Sequence, residues 1–82
     1  MIAEKTTLEI LNEIQEELNK KGYPVKVDIG EPEEGADIGL RLYINAPRDW
    51  ELEKQISSIV WEVLDKYDLI AFIQKFWNTL SK

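Results

Sequence analysis

Five carboxylates fall within ten residues: Asp28, Glu31, Glu33, Glu34 and Asp37. Oxygen ligands of this kind hold Mg²⁺ or Ca²⁺ when they converge. Their spacing does not match an EF-hand loop. The plainer reading is a solvated turn whose charges keep a sheet edge soluble, and the pattern favours it. Other reaction chemistry is short of residues. The 82-residue chain has no cysteine and no histidine. This removes thiolate nucleophiles, zinc–thiolate centres, the usual general base near neutral pH and the commonest metal ligand. No nucleophile–base–acid arrangement, lysine-bearing phosphate loop or dinucleotide fingerprint is present. No catalytic residue and no cofactor is therefore assigned.

The other chemically informative set is aromatic: Trp50, Trp61, Tyr67, Phe72, Phe76 and Trp77. Large rings dominate both small cores and interface hot spots. Trp61 lies beside Val60 and Leu64, in the core or at its edge. Trp50 and Trp77, near an element start and the chain end, are better placed to meet a partner.

Composition narrows the partner. The net charge is −6, from 16 acidic and 10 basic residues, and the only arginines are Arg41 and Arg48. Nucleic-acid binding needs clustered Lys and Arg to displace counterions, so nucleic acid is excluded as a partner. An acidic surface suits a basic protein or a cation. A hydrophobic fraction of 44% and a charged fraction of 32% fit a globular chain, read as one domain over 1–82. No signal-peptide pattern opens the chain. The longest apolar run, Leu69 to Ile73, is far below the roughly 20 residues of a membrane span. The expected address is cytoplasmic, with no membrane partner.

These side chains need elements to position them. Leu8, Leu11, Ile14 and Leu18 recur at helical spacing and predict a helix over Thr7–Lys21. Thr6 and Glu9 form a capping box, Gly22 is a left-handed stop and Pro24 bars continuation. Glu13, Glu16 and Glu17 face water. Val25, Val27 and Ile29 alternate with polar residues and predict a strand over Tyr23–Ile29. After the acidic turn, Ile38, Leu40, Leu42 and Ile44 predict a second strand over Asp37–Asn45, paired with the first as an antiparallel hairpin. Pro47 in a first turn and Asp49 as cap open a second helix that runs to Lys66.

The last segment has two readings. Leu69 to Leu80 fits a helix, while the run Leu69 to Ile73 also fits a buried strand. A two-stranded sheet is rarely stable, so a strand to Lys75 with a helical tail over Phe76–Ser81 is preferred. The strand then lies parallel to its predecessor after a right-handed crossover. The result is an α+β, two-layer α-β-β-α-β sandwich with both helices on one face of a three-stranded sheet. Lys26, Asp28, Arg41 and Tyr43 then occupy the open face. The last strand adds either Leu69, Ala71, Ile73 and Lys75 or Ile70, Phe72, Gln74 and Phe76. Either set puts apolar residues on a face that no helix covers, which invites a partner, a second copy, or cover by the aromatic tail.

Val27-Asp28-Ile29-Gly30-Glu31, Gly35 to Leu42, Trp50 to Leu64 and Lys66 to Ile70 together resemble a minimal nucleotidyltransferase of the polymerase-β superfamily. That resemblance covers about half the chain. It implies Mg²⁺ held by Asp37 and Asp68 and a nucleotide docked near Gly30. Glu31 stands where the family has serine, the turn is shorter, and Gly39 replaces the second acid. Such a descendant would be an inactive binding scaffold.

The residues favour a non-enzymatic interaction or regulatory module, of antitoxin-, inhibitor- or adaptor-like kind. It binds a protein partner or itself through Arg41, Tyr43, Trp50, Phe72, Phe76 and Trp77. The alternatives are the Mg²⁺/nucleotide-binding protein above and a cation-binding domain built on the acidic turn.

Overall fold

The computed structural model describes residues 6–78. Helix α1 spans Thr7–Lys20 and starts from a complete capping box. The Glu9 N–H donates to Thr6 Oγ1 at 3.1 Å, and the Thr6 N–H donates to Glu9 Oε1 at 3.0 Å. Both bonds satisfy N–H groups that the helix itself cannot pair. Its buried stripe is Ile10, Leu11, Ile14 and Leu18. Leu8, expected in that stripe, is exposed. It lies in the first turn, and Ile10 points inward instead.

Strands β1 (Val25–Gly30) and β2 (Ile38–Ile44) pair antiparallel, from Val25 opposite Ile44 to Gly30 opposite Gly39. Helix α2 runs Trp50–Lys66, and strand β3 (Ala71–Trp77) returns parallel to β2. The sheet order is β1-β2-β3, so β2 is central and both other strands are edges. The α-β-β-α-β order and the three-stranded sheet match the expected α+β architecture.

Both helices stop by the same device. The Tyr23 N–H donates to Leu18 O and the Gly22 N–H to Asn19 O. At α2 the Leu69 N–H donates to Leu64 O and the Asp68 N–H to Asp65 O. These are Schellman pairs, which need one left-handed residue. Gly22 (φ +81°) and Asp68 (φ +55°) supply it. Aspartate tolerates this region better than most side chains.

The helices and the inward residues of the sheet share one core. It contains Ile14, Leu18, Leu40, Leu42, Ile44, Ile56, Val60 and Leu64, each almost wholly buried. Glu13, expected to face water, instead bridges the helices, accepting from Lys66 Nζ and the Tyr67 hydroxyl. The hydrogen bond to Glu13 raises the Lys66 pKa above its ordinary 10.5.

Three further expectations are corrected. Pro47 precedes α2 instead of lying in its first turn, because the helix begins at Trp50. Asp49 is the N-cap residue, but its side chain makes no capping bond. Phe76 and Trp77 complete β3 opposite Tyr43 and Ile44 instead of opening a helical tail. Ring stacking across β2 and β3 outweighs the helical spacing of the sequence. The rest of the expected tail, 79–81, lies outside the described residues. Among the described residues no helix is long and apolar enough to cross a membrane.

Candidate functional site

The register settles which residues of β3 face away from the helices. Gly39, Arg41 and Tyr43 stand opposite Phe72, Gln74 and Phe76. Across β1 they stand opposite Gly30, Asp28 and Lys26. Side chains directly opposite share a face. The open face therefore carries three rows: Lys26–Tyr43–Phe76, Asp28–Arg41–Gln74 and Gly30–Gly39–Phe72. The Tyr43 and Phe76 rings stack at 5.2 Å with 17° between planes. Tyr43 is 40% exposed, Phe76 44% and the neighbouring Ile70 61%. A shallow groove of about 340 Å³ lies at the end of this face, with Lys26, Tyr43, Phe76 and Trp77 among its lining.

The two edges of the sheet differ. Along β1, the Gln15 side chain reaches from α1 and acts as a short strand. Its Nε2 donates to Val25 O at 2.8 Å, and its Oε1 accepts from the Val27 N–H at 2.8 Å. The next outward N–H, at Ile29, donates to Asp28 Oδ1. Unpaired edge groups invite pairing with another chain, and β1 presents few of them.

Along β3 the situation is reversed. The Ile38 N–H donates to Ile70 O, and the Asn78 N–H donates to Ile44 O. In a parallel ladder these bonds turn the even-numbered residues of β3 toward β2. The backbone groups of Ala71, Ile73, Lys75 and Trp77 point outward, and no described residue covers them. Strand β3 has no proline, and its one charge is Lys75. That ammonium is drawn inward, donating to Glu53 Oε2 on α2 at 3.3 Å.

The six residues singled out in the sequence divide into groups. Tyr43, Phe72 and Phe76 lie together on the open face. Arg41 is on that face too, but its side chain lies across Gly30, with Cγ 3.0 Å from where a Cβ at residue 30 would stand. Trp77 is on the helix side, packed against the core at the strand end. Trp50 projects from the start of α2, 69% exposed.

Two of the aspartates singled out in the sequence have structural roles. Asp37 Oδ2 accepts from the Ile70 N–H at 2.9 Å and so joins the starts of β2 and β3. Asp68 ends α2 through its left-handed backbone. Gly39 is closed to any side chain. A Cβ there would lie 2.5 Å from the carbonyl carbon of Glu31, which crosses the sheet face at that point. Among the described residues, no three acidic side chains gather where they could hold a metal.

Sequence reasoning missed the Gln15 clamp and the open edge. An alternating strand signals its two faces, but its edges depend on which strand becomes its neighbour. No family model matches this chain, and no similar protein was found among curated proteins or solved structures.

Proposed function

We propose that this chain is a non-enzymatic protein-interaction module, a regulatory or adaptor-like subunit that engages its partner along β3 and the adjoining open face. The observation that carries the reading is the asymmetry of the sheet. One edge is clamped by Gln15, while the other leaves alternate backbone groups free beside exposed aromatic rings. Added strands draw affinity from such backbone groups and specificity from the alternate side chains. Tyr43, Phe72 and Phe76 supply rigid area of the kind that anchors interfaces. Tyr43 and Phe76 at one end of the strand and Ile70 at the other leave exposed apolar area on either side of the Asp28–Arg41–Gln74 row, and exposed apolar area of this kind marks binding sites.

A photoreactive benzoylphenylalanine placed at Gln74, in the middle of this surface, tests the reading in the native host. Illumination should yield a covalent adduct from position 74 and none from the same group at Glu34, in the acidic turn. Equal labelling from both positions, or none from 74, would remove the support for a binding face here.

A further inference from the structure

We infer that the partner along β3 is a second copy of this chain, joined edge to edge in an antiparallel, two-fold pair centred on Gln74. This deepens the interaction reading above and rests on it.

Self-complementarity argues for the second copy. The outward backbone groups belong to Ala71, Ile73, Lys75 and Trp77, so these residues form the hydrogen-bonded pairs of any antiparallel partner strand. Centring the axis on Gln74 is the arrangement that uses all of β3. Ala71 then faces Trp77 of the second copy, Ile73 faces Lys75, and Phe72 faces Phe76. The Phe72–Phe76 pairs fall at non-hydrogen-bonded sites, where side chains approach most closely. Each extends the Tyr43–Phe76 stack into a three-ring row that crosses the seam.

Charge selects this register over its neighbours. Sliding by one step in one direction places Lys75 opposite Lys75, and like charges directly opposite are destabilising. Sliding the other way leaves Phe76 opposite Ile70 and breaks both phenylalanine pairs. In the Gln74-centred register the only side chain that meets itself is a neutral amide, which both donates and accepts. The row across the axis reads Asp28–Arg41–Gln74, then Gln74–Arg41–Asp28 of the second copy, so its opposite charges balance.

The helical layer agrees. Glu53 touches Lys75, which puts that side of α2 over β3. Trp50, Ser57 and Trp61 share this side at helical spacing, and both tryptophans are exposed. An antiparallel two-fold keeps the helices of both copies on one side of a continuous sheet. With the Glu53–Lys75 contact fixing the level of α2 against β3, Trp50 lies about 8 Å above the axis and Trp61 about 9 Å below it. The two-fold therefore brings Trp50 of one copy level with Trp61 of the other.

Sedimentation velocity of the full chain, from micromolar to millimolar concentration, tests the pair using Gln74→Lys, Gln74→Glu and their equimolar mixture. Gln74 is exposed, and circular dichroism checks that both variants keep the fold. The wild type should pass from monomer to dimer with concentration. Each variant alone should dissociate roughly fivefold more readily, because like charges meet at the axis. The mixture should regain wild-type association. A wild type that stays monomeric, variants that dimerise as it does, or a mixture no tighter than its components would overturn the inference. If the wild type is monomeric yet position 74 labels a different protein, the two-fold pair falls and the interaction module stands. If position 74 labels nothing, both fall.

Discussion

Gly39 shows how much one side chain's absence governs here. In the alternating series of β2 it holds an outward position that ought to accept almost any residue. The chain leaving β1 instead crosses directly over it, and a methyl group would overlap the Glu31 carbonyl. Gly39→Ala should therefore destabilise the fold by about 1–3 kcal/mol, the usual range for overpacking. Chemical denaturation read by tryptophan fluorescence would measure it, and an unchanged midpoint would mean that the Glu31 crossing is easily displaced. Asp37 and Asp68 carry a related lesson. Both stood out in the sequence as carboxylates, yet one serves as a backbone acceptor at the start of β3 and the other as a left-handed helix stop. Residue type was legible, and the local bond that used it was not.

At the scale of elements, period was a sound guide where one face is wet. The helical stripe around Ile14, the second helix and the β1–β2 hairpin all formed close to their expected bounds. The reading faltered where apolar residues run without a break, because such a run carries no period. Phe76 and Trp77 went to the strand because β2 offered Tyr43 and Ile44 as neighbours, a choice made across the sheet and not along the chain. The candidate surface was half legible for the same reason. Tyr43 and Arg41 could be placed on the open face from alternation, whereas the parity of β3 awaited its register. Gln15 lay within a predicted helix and gave no sign of its role. Gln15→Ala would leave the Val25 carbonyl and the Val27 N–H of β1 without their partners. The expected loss is about 1–3 kcal/mol, since leaving part-buried groups unsatisfied costs more than the bonds contribute. Hydrogen exchange should quicken at Val27 more than at Leu42, in the central strand. Equal protection in variant and wild type would show that the clamp contributes nothing.

At the scale of the whole molecule, charge and the interface pull against each other. Each copy carries a net charge of −6, so two copies repel as they approach. Salt screens that repulsion within about 8–10 Å at physiological strength. Self-association should therefore tighten as NaCl rises from 20 to about 300 mM, whereas binding to a basic partner would weaken over the same range. Sedimentation equilibrium at several salt concentrations reads the sign directly, and weakening with salt would favour a cationic partner over a second copy.

For copies joined through β3, the clamped edge would also set a stoichiometry. A sheet with two open sides behaves like a bifunctional monomer, and each addition exposes a fresh site for the next, as in a growing fibre. With Gln15 laid along β1, a pair joined through β3 would offer few free groups for a further strand. In the language of polymerisation, α1 is the chain terminator built into every unit. Gln15→Ala would uncover the β1 groups that this side chain holds and so raise the valence from one toward two.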